Sequence, residues 1–555
     1  MQTPTAPGSQ PKIDTVWKAC AYGDFETLRS LLGQEPSLVQ RGDEQGYYPL
    51  QWAALNNRVG IINYLLETGA PVNLADHTGQ TALHWAAVRG SLSAAETLLR
   101  SGADLSLQDG KGYTVCHVAA QYGQTAFLYH VALRWGADLD LLDNDQRSPL
   151  HWAAYKGYAD TIRLLMVMDG NMTLADHEGC TPLHWAAIRG NGEACTLLLQ
   201  GGAQSLLTAR DVTGSTPAQL ALSKGHRALG LHLADWRRRH EHSGKGGPFS
   251  FLFNTQLCPI IWTFIIMMLG MFVHRIMRHP GLVPLRYHPT FVGWIAVLLA
   301  LSGLVLLYKT TTADPGFIPC GDSAHGSVGQ GRKASPATSA SRHGERYNHY
   351  KQLDSPALWA GAWNQLCVTC KVVRPLRAKH CSVSDRCVRQ FDHFCPWVGN
   401  CIGQGNRHLF LAFLWVELAA MVLVAAVAAL RLHHIAKHEG PATHRAVPWV
   451  VCFFVTDLVV GGSVAALAIT QASQVARNVT TNELANWSRY KYLRDHEGAF
   501  QNPFDRGCKQ NCLDAWNPTQ ATPAPYVLQE ESGSKMSLLK MEQGQAAIQD
   551  WDSDA

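Results

Sequence analysis

The chain has 555 residues, enough for several domains. Its formal net charge is only +4, which argues against a nucleic-acid surface spread over the whole molecule. Mean hydropathy is −0.08, but the apolar residues are unevenly placed: the first 240 residues read as soluble, and four long apolar runs fall between residues 250 and 470.

A period of about 33 residues runs through the first 225. Tyr48-Pro49-Leu50-Gln51-Trp52-Ala53-Ala54 recurs as Thr81-Ala82-Leu83-His84-Trp85-Ala86-Ala87, again around His117, His151 and His184, and more weakly at Thr216-Pro217. The pattern resembles the ankyrin repeat, a β-turn followed by two short helices. Thr-Pro starts the first helix, the Ala pairs allow close helix contact, and leucines such as Leu98 and Leu99 fill the stack. A further copy near Ala19 to Gly23 predicts about seven repeats over residues 13–240, with degenerate end copies as caps. A stacked array of this kind offers an extended face to partner proteins. The repeated His and Trp read as packing residues of the first helix, not as metal ligands.

The N-terminal stretch MQTPTAPGSQPKID has no apolar core, so no cleaved signal peptide is expected. Apolar runs at 257–273, 291–308, 409–430 and 450–468 each approach the length that crosses a bilayer. Four spans place both termini on one side. The repeats carry no export signal, so that side is expected to be the cytosol, together with the loop 309–407. Residues 320–354, rich in Gly, Ser, Ala and His, read as a flexible insert, and residues 517–555 as a disordered tail.

Six of the fifteen cysteines lie between 367 and 401. The series is Cys367-x2-Cys370, His380-Cys381, Cys387, Asp392-His393-Phe394-Cys395 and Cys401. Zinc takes four soft or borderline ligands in a tetrahedron, and Cys367, Cys370, His380 and Cys387 supply a full set. A cytosolic position keeps such thiols reduced. Cys395 has His393 two residues before it and Asp392 three before it. A free thiol is only roughly 3% thiolate at neutral pH, so a nucleophilic Cys needs a base, and that base needs an orienting acid. Cys395, His393 and Asp392 are the candidates for those three roles.

The stretch CVTCKVVRPLRAKHCSVSDRCVRQFDHFCPWVGNCIGQGN resembles the cysteine-rich domain of the DHHC protein S-acyltransferases. Asp314-Pro315-Gly316 is similar to the family's DPG motif and Thr480-Thr481-Asn482-Glu483 to its TTxE motif. Residues Asn502 to Asn511 are similar to its C-terminal N-x-F-x-x-G-x-x-x-N element. The likeness extends from the repeats to about residue 512 and is greatest to ankyrin-bearing, plant-type members with four spans. It implies zinc as the metal and palmitoyl-coenzyme A as the acyl donor, with Cys395 as acyl carrier and Thr481 meeting Asp392. Arg374 and Arg377 would contact the coenzyme phosphates. The family's second zinc site maps to Cys381, Ser384, Phe394 and Cys401. Two of those four are not ligands here, so this second site, reduced to Cys381 and Cys401, is expected to be weak or lost unless His408 substitutes.

The expected fold is mainly α: an ankyrin solenoid (13–240), spans one and two (250–312) and the insert (320–354). The cysteine-rich catalytic domain (365–415), spans three and four (409–470), a motif region (471–515) and the tail (517–555) follow. The expected activity is transfer of a palmitoyl group to cysteines of substrate proteins recruited by the repeats. The alternative is a catalytically silent, membrane-anchored ankyrin scaffold. Golgi residence follows from the family likeness.

Overall fold

The computed structural model describes residues 14–243, 257–277, 288–320, 353–438 and 447–517. The expected flexible insert lies outside them except at its two ends, and the expected tail except for residue 517. The chain divides into two compact units. The first holds the described residues up to 243 with 318–320, 353–376 and 385–387. The second holds 257–317, 377–384 and 388–517.

The first unit is built on seven helix pairs, from Val16–Tyr22 with Phe25–Gln34 to Pro217–Ser223 with Arg227–Ser243. The repeated Thr/Ser-x-x-His is a capping box with imidazole in the usual Glu position. In the copy at Thr81, the backbone N–H of Thr81 donates to His84 Nδ1 at 3.2 Å. The same box recurs at Thr114 with His117, Ser148 with His151 and Thr181 with His184, while Gln51 and Gln219 take its place in the outer copies. The far ring nitrogen then reaches the next repeat: Nε2 of His84, His117 and His151 meets the carbonyl of Tyr113, Arg147 and Cys180 at 3.1, 2.9 and 3.2 Å. These buried histidines are therefore inter-repeat struts. Burial favours their neutral form, most strongly at His151, whose pKa falls to about 4. The Trp of four copies is only half-buried and bonds the turn before its helix. Nε1 of Trp52, Trp85, Trp152 and Trp185 donates to Asp43, Asp76, Asp143 and Asp176, each nine residues earlier.

Residues 353–373 belong to the same unit and share its core. Leu353, Leu358, Trp363, Leu366 and Val368 are buried in one continuous cluster with the repeat leucines. Tyr129 is the centre of this contact. Its hydroxyl donates to the Leu353 carbonyl at 2.9 Å and accepts from the Ser355 N–H, and Trp359 and Trp363 pack on its ring. Thr369 donates to the Gln200 carbonyl at 3.0 Å, and Lys371 pairs with Asp169.

In the second unit three helices are long and apolar enough to cross a membrane: Phe291–Thr312, Arg407–Lys437 and Val447–Ala476. The expected first span differs. Its regular α-helix covers only Cys258–Met271, followed by a wider π-helical turn at Phe272–Met277. The turn coincides with Phe272, buried and stacked on Phe453 with ring centres 6.1 Å apart. The third apolar helix, Arg407–His438, runs eight residues beyond the predicted end at 430. At 1.5 Å per residue its 32 residues are longer than the roughly 30 Å hydrocarbon layer.

The motifs stitch this unit together. Asp314 accepts from the N–H groups of Gly316 and Phe317, a turn that needs Gly316 at φ +99°. Gly405 then donates to the Pro315 carbonyl. Asn400 covers the open end of the helix His288–Thr312, its amide reaching the carbonyls of Thr310, Thr311 and Ala313. Asn502 and Asn511 do the same for the helix ending at Ala476.

Candidate active site

Asp392, His393 and Cys395 sit on the hairpin formed by His393–Cys395 and Asn400–Ile402, with Phe394 paired to Cys401. The Asp392 side chain is fully buried. Its Oδ2 lies 2.6 Å from His393 Nδ1. The remaining lone pairs are filled from a segment almost 90 positions later. Thr481 donates its backbone N–H to Oδ1 at 2.7 Å and its hydroxyl to Oδ2 at 2.8 Å. TTxE is locally a capping box: Thr480 caps the helix Thr481–Asn486 and exchanges bonds with Glu483 at N3. Thr481 is then the first helical residue, whose N–H has no partner within the helix, and Asp392 supplies one.

Burial pushes the Asp392 carboxyl up, but the His393 hydrogen bond, the Arg407 charge and the Thr481 N–H overcome it and hold the pKa at about 2. Burial likewise opposes the charged His393 ring, yet Asp392 and then Cys395 raise its pKa to about 9. The imidazole therefore carries a proton at neutral pH, beside an ionised carboxylate on one side and the Cys395 sulfur on the other.

Sequence reasoning missed three members of this network. Gln471 Nε2 lies 3.1 Å from the Thr481 hydroxyl and 3.4 Å from Asp392 Oδ2, Gln474 Oε1 lies 3.0 Å from the same hydroxyl, and Arg407 stands 3.7 Å from Asp392 Oδ1. Two glutamines within one turn at the end of an apolar run were the available signal.

Cys395 lines a cavity of about 590 Å³ walled mainly by apolar side chains, among them Ile261, Leu307, Phe410, Leu414 and Val464. Phe410, Phe413, Leu414 and Ala468 pack in one cluster with the cysteine.

The donor atoms of Cys367, Cys370, His380 and Cys387 lie within 4.8 Å of one another, the single such group of His, Cys, Asp and Glu among the described residues. The Cys370 N–H points at the Cys367 sulfur, 3.5 Å away, and Lys371 takes φ +52°. This is a tight turn that converges two thiols. Three thiols and one imidazole fit zinc. At the other expected position, Ser384 Oγ stands 3.4 Å from the Cys401 sulfur. Phe394 packs with Cys381, Cys401, Val388, Phe391 and Phe317 in an apolar cluster. The Cys401 thiol, helped by Ser384, pulls the Cys381 thiol down to about 5. His408 is not gathered there; its ring packs near Trp516.

The two expected phosphate contacts separate. Arg374 bonds the carbonyls of Asn364 and Gln365 and stays partly exposed. Arg377 does not fit that role. Its side chain is 5% exposed, forks onto both oxygens of Glu483 at 2.7 and 2.8 Å, bonds Asn478 and lies over the Phe504 ring. Four of its five N–H donors are engaged inside the protein, and its charge is already paired with the buried Glu483 carboxylate.

Comparison with known proteins agrees with this architecture. Residues 363–488 match the family model of the DHHC palmitoyltransferases, and residues 16–173 and 150–199 match ankyrin-repeat models. The chain is 37% identical over 528 residues to a probable protein S-acyltransferase 23 of Arabidopsis thaliana, covering 92% of this chain and 94% of that one. It is 29% identical to palmitoyltransferase ZDHHC17 of Danio rerio, over 90% of this chain and 86% of the other. Over 156 residues it is 39% identical to palmitoyltransferase Hip14 of Drosophila melanogaster, covering 27% and 24%. The family-model match and the identity to an S-acyltransferase over nearly the whole length place the chain in the DHHC protein S-acyltransferases, as an ankyrin-bearing palmitoyltransferase whose sequence at the signature reads Asp-His-Phe-Cys.

Proposed function

We propose that Cys395 is the acyl carrier of a two-step transfer. His393, held as a cation by Asp392, faces the Cys395 sulfur, and it is the thiolate of Cys395 that attacks the thioester carbonyl of a long-chain acyl-coenzyme A. The enzyme thioester forms, the coenzyme thiol leaves, and a substrate cysteine thiolate then takes the acyl group and frees Cys395. The single observation that carries this reading is the convergence of the Asp392-His393 pair and the apolar cavity on one cysteine. Burying the chain there contributes up to about 0.8 kcal/mol per CH2. Asp392 and Thr481 position the imidazole. Arg374 remains the candidate cation for the coenzyme phosphates. Zinc on Cys367, Cys370, His380 and Cys387 would brace the finger that leads into the hairpin, with no part in the transfer itself.

The wider reading has four spans, counting Cys258–His274 with the three long helices, and so places both termini in the cytosol. The repeats there recruit cysteine-bearing clients, and the family points to Golgi or another endomembrane. The test is incubation of purified protein with labelled palmitoyl-coenzyme A. The wild type takes up hydroxylamine-labile label, and Cys395→Ser takes up none while still inserting into membranes. Equal labelling of the Ser variant removes Cys395 from the role.

A further inference from the structure

The cavity beside Cys395 is apolar except for a few groups, and two of these are carboxyls: Glu417 and Asp457. Both lie inside membrane-crossing helices, 8% and 5% exposed. Among the described residues, Glu417 Oε1 and Asp457 Oδ2 are buried without a hydrogen-bond partner. Room for Glu417 is built in from the opposite helix, since a methyl group at Gly303 would come within 2.3 Å of Oε1. An unpartnered carboxyl in a hydrocarbon environment is unfavourable, and ionisable groups inside a membrane mark sites of function.

Their depths are graded. Phe410 packs with Cys395, and Glu417 is seven residues further along the same helix, about 10 Å. Ala468 also packs with Cys395, and Asp457 is eleven residues from it, about 16 Å. A chain esterified to Cys395 and lying in the cavity passes the first carboxyl before the second. A plain hydrocarbon chain satisfies neither, whereas a chain bearing a hydroxyl can bond either one. Sites that hydrogen-bond a substrate hydroxyl discriminate strongly against the analogue without it.

We propose that Glu417 and Asp457 are hydrogen-bonding stations for an oxygenated acyl chain, so that this enzyme uses hydroxylated long-chain acyl-coenzyme A ahead of its plain counterpart. The proposal rests on the reading that the cavity holds the acyl chain. Its test is a competition for Cys395 labelling between palmitoyl-coenzyme A, a shorter plain acyl-coenzyme A and the mid-chain and ω-hydroxylated forms of palmitoyl-coenzyme A, with full-length protein in detergent micelles. The wild type is expected to favour a hydroxylated donor by about tenfold, the worth of one hydrogen bond. Glu417→Leu should lose the preference for the mid-chain form and Asp457→Leu that for the ω form, with melting curves recorded for both. A wild-type preference for palmitoyl that neither variant alters overturns the proposal. So does a preference for shorter plain chains, which would make the carboxyls a mere end-wall. If no donor labels Cys395, the transfer reading fails separately. Melting shifts with palmitate and ω-hydroxypalmitate then decide this one: a larger shift with the hydroxy acid supports it, and equal shifts overturn it.

Discussion

Thr481 grips both oxygens of Asp392, through its backbone N–H at 2.7 Å and its hydroxyl at 2.8 Å. A segment following the last apolar helix thereby fixes the acid that orients His393.

Replacing Thr481 by Ala removes the hydroxyl bond and leaves the N–H bond. A hydrogen bond to a charged group is worth about 1.5–3 kcal/mol, so acyl-enzyme formation should slow about 10- to 100-fold. Thr481→Ser should retain most of the rate. The rate of label uptake, with a melting scan as control, measures this. A wild-type rate in the Ala variant would remove Thr481 from the positioning chain.

Arg377 and Arg374 should behave in opposite ways. Arg377→Ala strands the buried Glu483 carboxylate and should destabilise the second unit by about 3–5 kcal/mol, with the partial rescue by Lys that a lost fork allows. Arg374→Ala should leave the melting temperature near wild type and raise KM for acyl-coenzyme A. Thermal melts and initial rates separate the two. A raised KM with unchanged stability for Arg377→Ala would restore it as a phosphate contact.

Elemental analysis should find about one zinc per chain, held by Cys367, Cys370, His380 and Cys387. Ser384→Cys together with Phe394→His should move the content towards about two, and either change alone should do less. A value near two in the unaltered protein would mean that the ligands are wrongly assigned.

The histidine struts make the repeats sensitive to acid. At His84, His117, His151 and His184 the folded pKa lies below the ordinary value of 6.5, so protons favour the unfolded chain. Stability is fully present above about 6.5 and falls as pH drops towards about 4. The His151 shift alone corresponds to roughly 3 kcal/mol. The pH dependence of melting should flatten in His151→Gln, the residue type that the outer copies use. An unchanged slope would count against the struts.

The repeats were legible because their 33-residue period fixes both the helix starts and the inward face. The site was legible because order and spacing, Cys-x2-Cys and Asp-His-x-Cys, survive without any distance information. Arg377 misled because a cation beside a metal finger looks solvated in sequence, while its partner Glu483 lies 106 positions away. Glu417 and Asp457 were visible as acids within apolar runs, but only the fold puts them in one cavity. Nothing periodic marks residues 353–373 as part of the repeat core, since that contact depends on the shapes of Tyr129, Trp359 and Trp363.

This last contact changes how truncations of the protein should be interpreted. Cutting away the repeats exposes Leu353, Leu358, Trp363 and Leu366 to water and removes the support beneath the Cys367–Cys370 turn. A repeat-less enzyme that fails on a client has thus lost packing around the Cys/His finger as well as the repeats, so its failure does not by itself assign recruitment to them. Point changes on exposed side chains of the repeats, such as Tyr122 or Tyr158, leave the Leu353–Leu366 contact in place. A genetic dissection of the repeats therefore starts from such surface changes, which separate loss of a binding face from loss of the core that residues 353–373 share.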